Sequence, residues 1–269
     1  MDYVLPKEIA SNMMNVAIAK STLKIKDLLI RGALSGALLG ISVTLAYLVT
    51  IQTTLSVIGA LVFPVGFVMV IILGLELATG NFCLLPLAWF EKKIYGSAVL
   101  KNLFWSLVGN LLGSLLFAFL FWCASSQTKG IPMIGTIEQL LVKAAEKKTL
   151  GYAVLGFHGV ISAFVKGVLC NWMVCLGVVM AMSSKSTLGK ITASGIPIFI
   201  FFALGYEHAV VNMFVIPTGM MFGAKVTLAD WWLNNQLIVT LGNFIGGLLF
   251  TGMAIYYTHK TKEEKTLAV

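Results

Sequence analysis

Two acidic residues stand inside an otherwise apolar sequence, and they stand in the same frame. The chain reads Gly74-x-Glu76-x4-Asn81-x4-Pro86 and, later, Gly205-x-Glu207-x4-Asn212-x4-Pro217, all four positions matching at one offset of 131 residues. A carboxylate in such surroundings is costly unless it is paired or hydrogen-bonded. Because both Glu share a repeat position, the expectation is structural. Each ties down its own segment by accepting backbone N–H bonds, and Asn81 and Asn212 tether likewise. A direct proton role for either carboxylate is the alternative. His208 is different, because its repeat partner is the apolar Leu77. A lone His on a buried surface is ordinarily a satisfied core residue. Beside Glu207 in this segment it is read instead as functional. A neutral imidazole can donate a hydrogen bond to a small anion or hand it a proton, and it titrates near working pH. Thr79 is the natural hydroxyl donor from the other segment. Together they would hold one small oxyanion between apolar constrictions.

Other candidates carry two readings each. Lys166 either snorkels to an outer interface or lines an outer vestibule and draws anions by its charge. Phe63, Phe67 and Phe201 either pack against lipid and core or form a hydrophobic collar that gates by excluding water. Leu77, Ala78 and Val174 would form an inner collar. Cys83, Cys123, Cys170 and Cys175 show neither a CxxC pair nor zinc spacing and read as small buried hydrophobes, so no metal and no cofactor is expected.

The elements that hold these residues must span a membrane. Of 269 residues, 58% are hydrophobic and 11% charged, with a mean hydropathy of +0.92. A soluble domain carries about 25% charged residues, so this chain cannot cover a globular surface. Six spans are expected: roughly 28–50, 54–73 continuing to 90, 98–123, 152–183, 188–204 continuing to 222, and 232–257. Residues 1–27, with Pro6–Asp27 helical, read as an amphipathic segment on the membrane surface. Residues 28–258 form the membrane domain, with halves of about 28–123 and 152–257, and 259–269 a tail. With both termini inside, Lys and Arg count thirteen inside against five outside. That bias favours cytoplasmic termini in the cytoplasmic membrane, and it makes membrane lipid, not nucleic acid, the partner of the net charge of +8. The connection 124–151 then faces outward.

The repeat extends beyond the two frames. Pro64 matches Pro197 and Gly109-Asn110-x2-Gly113 matches Gly242-Asn243-x2-Gly246, both at an offset of 133, and Arg31-Gly32 matches Lys166-Gly167 at 135. Each half holds three spans, an odd number, so the second half is inverted relative to the first. The matched segments place Gly and Pro in apolar stretches, which weakens a helix. Unwound backbone at membrane depth persists only where it is buried in protein or lines a cavity. Each segment is therefore expected to be a helix broken by a loop. The two loops would meet near the centre and offer partial positive charge to an anion.

At these residues the sequence resembles the formate/nitrite transporter family, which includes hydrosulfide channels. The resemblance covers about residues 5–258. Its most specific pieces are Gly205-Tyr-Glu-His-Ala-Val-Val-Asn212, Leu169-Cys-Asn-Trp-Met-Val-Cys175 and Glu76-Leu-Ala-Thr-Gly-Asn81. It implies an all-α, aquaporin-like fold of six helices, with helices 2 and 5 broken, assembled as a homopentamer with a pore in each protomer. It implies that His208 is the central pore histidine, Thr79 the threonine facing it and Asn171 a pore-lining asparagine. It also implies Phe63, Phe67 and Phe201 as the outer constriction and Leu77, Ala78 and Val174 as the inner one. Two positions depart from the family pattern. Ala78 stands where Phe is frequent. Leu155 stands where a vestibule lysine is usual, fourteen residues before the Leu-Cys-Asn motif. Lys166, eleven residues on and close to three helical turns away (about 16 Å of rise), is expected to replace it.

The function implied is passive movement of a small monovalent anion, formate first, or of its neutral acid with a proton. Nitrite or hydrosulfide is the alternative. An aquaporin-like neutral solute channel would want paired Asn-Pro-Ala loops, which are missing. An enzyme would want clustered His, Cys or carboxylates, and only Glu207-His208 are adjacent.

Overall fold

The structure, a computed structural model, describes residues 2–126 and 132–260. Among those residues every regular element is a helix, and a lone bridge joins Tyr3 to Ser184. Four helices are long and apolar enough to cross a membrane. They are α2 (Ile25–Thr53), α7 (Gly96–Ser126), α10 (Phe157–Ala181) and α13 (Leu228–His259). Between α2 and α7 the chain forms α3 (Ser56–Val62), α4 (Pro64–Ile72), α5 (Ala78–Asn81) and α6 (Leu85–Phe90). Between α10 and α13 it forms α11 (Thr187–Ala203) and α12 (Ala209–Met221). Each half is thus a long helix, a broken helix and a second long helix.

Glycine lets the long helices of each half touch. A Cβ at Gly32 of α2 would sit 3.0 Å from Gly109 Cα of α7, and one at Gly167 of α10 would sit 3.3 Å from Gly242 Cα of α13. Small residues are the usual device where lipid offers no hydrophobic drive between helices. The breaks are equally alike. Gly74 and Gly205 take positive φ (61° and 67°). There the N–H of Leu75 returns to Val70 O and that of Tyr206 to Phe201 O, the left-handed helix stop that glycine favours. Leu77 and His208 are both extended (φ −120°, ψ 112° and φ −112°, ψ 119°) and both start the next helix.

Two further helices lie outside this frame. The first, α1 (Pro6–Ser21), ends earlier than Asp27. Thr22 and Leu23 turn their N–H groups back to Ala19 and Lys20, and Lys24 is extended, so Ile25–Asp27 begin α2. Its apolar face packs on protein: Ala10, Met13 and Ala17 are fully buried with Cys83, Leu84 and Val179. Val4 N–H to Ser183 O (2.8 Å) and Lys185 N–H to Asp2 O (2.9 Å) pin the segment before it. The second, α8 (Pro132–Lys148), fills most of the connection 124–151, for which the sequence suggests only an outer loop. Ile137, Leu141 and Ala145, spaced by four, form its buried stripe, the pattern of a helix with one covered face. A short α9 (Leu150–Ala153) and a turn at Gly156 (φ 54°) come next. Near the other end of the chain, Lys260 pairs with Glu91 at 2.5 Å, both almost wholly buried. The rest of the tail lies outside the described residues.

Candidate functional site at the two helix breaks

The two breaks meet through one side-chain contact. Thr79 Oγ1, at the start of α5, lies 2.9 Å from His208 Nε2, at the start of α12. Both residues are buried. His208 Nδ1 accepts the Val211 N–H at 3.2 Å, capping α12. With Nδ1 so engaged, a neutral ring carries its proton on Nε2 and donates it to Thr79 Oγ1. The Thr79 hydroxyl hydrogen is left to point elsewhere. Behind it, Asn171 Nδ2 donates to Thr79 O (3.0 Å) and to Asn243 O (2.6 Å), while Asn171 Oδ1 is buried without a partner. Asn171 thus holds the threonine in place from α10.

Each break is held by one asparagine from the long helix after it. Asn110 Nδ2 donates to Gly32 O and Glu76 O, both at 2.9 Å, and its Oδ1 accepts Ala78 N–H at 3.0 Å. Asn243 does the same with Gly167 O (2.8 Å), Glu207 O (2.9 Å) and Ala209 N–H (2.8 Å). The glutamates therefore do not tether backbone N–H groups as expected. Asparagine takes that work because one amide supplies both a donor and an acceptor, and a carboxylate only accepts.

The glutamates instead anchor side-chain clamps. Glu76 Oε1 accepts Lys20 Nζ of α1 at 2.5 Å and Oε2 accepts Asn81 Nδ2 at 2.8 Å. Asn81 Nδ2 also reaches Asn102 Oδ1 (2.8 Å), and Asn102 Nδ2 returns to Lys20 O (3.0 Å). Glu207 Oε2 accepts Lys148 Nζ of α8 and Asn212 Nδ2, both at 2.8 Å. Asn212 Nδ2 reaches Asn235 Oδ1 (2.8 Å), and Asn235 Nδ2 returns to Lys148 O (2.9 Å). Sequence reasoning missed Lys20, Lys148, Asn102 and Asn235. The last two were findable, since they match at the offset of 133 already carried by Asn110 and Asn243.

Aromatic and aliphatic residues close the space on either side. Phe63 meets Phe201 edge to face at 5.7 Å and stacks on Phe202 at 3.9 Å. Phe201 in turn stacks on His208 at 5.7 Å. Phe202 gives no signal of its own in the sequence. Beyond it a cavity of about 300 Å³ opens against α8, with Tyr47, Lys143 and Lys147 in its wall. Phe67 belongs to the same buried cluster as Phe63 and Phe201. It stands one helical turn further along, facing Gly177, and lines a second cavity of about 390 Å³ with Leu77, Val178, Lys20 and Lys190, beside α1. Ala78 and Val174 are buried.

The description Formate/nitrite transporter fits residues 7–257. The chain belongs to the formate/nitrite transporter family. Among its relatives, the probable formate transporter of Methanothermobacter thermautotrophicus is 38% identical over 210 residues, covering 76% of this chain and 74% of the relative. The formate channel BtFdhC of Bacillus thuringiensis is 30% identical over 266 residues, covering 95% and 96%. A solved FNT family ion channel superposes with a TM-score of 0.75 at 27% identity, over 94% of this chain and 98% of that one. A pentameric formate channel with formate bound shares the fold, with a TM-score of 0.68 at 23% identity over 87% and 97%. The fold is thus the aquaporin-like, all-helical one of the formate/nitrite transporter family.

Leu155 is exposed, in the turn after α9. Lys148, the last residue of α8, makes the ion pair with Glu207. Lys166 stands by the same clamp: its Nζ lies 3.4 Å from Tyr152 Oη and 5.5 Å from the centre of that ring, and its backbone carbonyl accepts the Glu207 N–H at 3.3 Å.

Proposed function

We propose that this protein is a membrane channel for small monovalent anions, with formate the favoured substrate, and that the Thr79–His208 pair handles the anion at its centre. That pair is the observation that carries the reading. It is the one polar contact between the breaks that their symmetry does not require, because Leu77 occupies the position equivalent to His208. The names of the relatives, formate transporter and formate channel, support the choice of formate.

The path runs between the two cavities. Lysines flank both of them and raise the local concentration of anions. An anion from the α8 side passes Phe63, Phe201 and Phe202; one from the α1 side passes Phe67 and Leu77, with Ala78 and Val174 closing the inner constriction. A bare charge between such walls is expensive, so the anion crosses in its neutral acid form, with a proton taken from solvent on the way. At the centre, the Thr79 hydroxyl and the Nε2–H of His208 are donors that the carbonyl oxygen of the neutral acid accepts. Asn171 holds Thr79 in line. The charge bias favours both termini on the cytoplasmic side of the cytoplasmic membrane, so α1 faces inward and α8 outward. Assembly as a homopentamer is proposed by likeness to the pentameric relative.

Liposomes holding the purified protein test this. Formate should enter at least tenfold faster than through protein-free membranes, and Thr79→Val should remove most of that gain while Thr79→Ser keeps it. Faster movement of nitrite or hydrosulfide would overturn the choice of formate. Water movement without anion movement would overturn the anion reading in favour of a neutral solute channel.

A further inference from the structure

The two clamps use the same residue types but distribute them differently over the carboxylate oxygens. In the first half, the two oxygens of Glu76 are shared between Lys20 and Asn81. In the second half, Lys148, Asn212 and Asn235 (3.3 Å) all converge on Oε2 of Glu207. That leaves Oε1, and Tyr152 Oη donates to it at 2.9 Å. Tyr152 is itself buried, its ring side packed among Ala163, Ala209 and Val239. Lys166 stands behind it within reach of the phenolic oxygen. A cation donating to that oxygen polarises the O–H toward the carboxylate, so the bonds in the chain strengthen one another. Neither Tyr152 nor its bond to the glutamate has a counterpart in the first half.

We infer that Tyr152, backed by Lys166, is a positioning residue of the outer clamp: it occupies the second oxygen of Glu207 and so sets how anions are received at the α8 face. This rests on the channel reading. With Oε1 held, the carboxylate is fully hydrogen-bonded and its orientation is fixed. Lys148 then pairs with a single oxygen. With Oε1 released, a buried carboxylate oxygen loses its partner. Its negative charge, then offset by one donor fewer, is felt more strongly at the outer mouth and opposes the arrival of anions. Lys166 acts through the tyrosine and touches no substrate.

The experiment compares half-saturating formate concentrations from each face, using right-side-out and inside-out vesicles that contain the intact channel. Tyr152→Phe removes the hydroxyl and keeps the ring. It should raise the outer half-saturation about five- to tenfold, less than the tenfold or more that losing a hydrogen bond to a charged group costs directly, because the tyrosine acts on the anion only through the glutamate. Maximal flux should fall less, and the inner value should stay as it is. Lys166→Gln should give a smaller shift of the same sign, and Lys166→Arg should restore it. A merely structural loss would change both faces together and would not respond to Arg. Formate flux through the unaltered protein with Tyr152→Phe unchanged at both faces, or changed equally at both, would overturn this inference alone. No formate flux through the unaltered protein would overturn the channel reading, and this inference with it.

Discussion

The break at Gly74–Leu77 and the break at Gly205–His208 share their backbone and differ in what they carry. Both stop on a positive-φ glycine, both run extended for one residue, and both are held by an asparagine on the next long helix. Both lean on a Glu–Lys pair, and even the exposure agrees: 20% and 2% for the Lys20 and Glu76 side chains, 19% and 4% for Lys148 and Glu207. The segments beyond the breaks are unlike. After the first break the chain makes a single turn, α5, and restarts at Leu85. After the second it continues as one helix through Pro217. The shared parts are scaffold, because two copies in opposite orientations would need the same supports. The unshared parts, His208 against Leu77 and Tyr152 against nothing, are where the halves have specialised.

The sharpest way to break that comparison is to remove the glutamates. Glu207→Ala strands Lys148, Tyr152 and two asparagines, whereas Glu76→Ala strands Lys20 and Asn81. Losing one partner of a buried pair costs about 3–5 kcal/mol. The partial exposure of both lysines places these two toward the lower end. Denaturant titration in lipid nanodiscs should show the larger loss for Glu207→Ala. Equal losses would mean that Tyr152 adds nothing to the outer clamp.

Whether a residue is legible in the sequence depends on whether it recurs within an apolar stretch. Glu76, Asn81, Glu207 and Asn212 announce themselves because polar residues are rare there, and the constant offset ties them together. His208 and Thr79 are legible through the same repeat, as the places where it fails. Lys20 and Lys148 are not. Each lies in an ordinary amphipathic helix, where lysine is the expected solvent-facing residue, and only the fold turns their side chains inward. Helix α8 reads as loop because its apolar stripe is short and sits between long spans that dominate the hydropathy. Tyr152 gives no signal, since nothing in the other half corresponds to it. The glutamates are conspicuous while their role is not: composition shows that a buried carboxylate needs donors, and it does not show whether these come from backbone or side chain.

A finer test uses the asparagines that hold the breaks. Asn110→Leu and Asn243→Leu each release two carbonyls and one N–H inside the protein. An unsatisfied buried group costs about 1–3 kcal/mol, and some of these will find water, so a loss of about 2–3 kcal/mol is expected in each case. Here the two halves should respond alike, since the supports are alike. A marked difference, read in the same titration, would show that one break is over-determined by its surroundings and that the likeness is only geometric.

The smallest effect on stability, and the most specific effect on flux, belongs to His208→Asn. His208 does two things at once: Nδ1 caps α12 through Val211 N–H, and Nε2 meets Thr79. Asparagine is among the best capping residues, so it keeps the first contact, and stability should change by only about 0.5 kcal/mol or less. It is too short to reach Thr79 as well, so the second contact goes. Leu77, at the matching position, shows that the backbone there needs no polar side chain and no cap from it. If the histidine serves transport and not folding, His208→Asn should leave the titration curve in place and lower formate flux in liposomes about tenfold, equivalent to about 1.4 kcal/mol in the barrier. An unchanged flux would move His208 from the unshared, working set into the shared scaffold. A large loss of stability with flux per folded protein intact would do the same by the opposite route, because it would show that the imidazole fills space that the first half leaves to leucine.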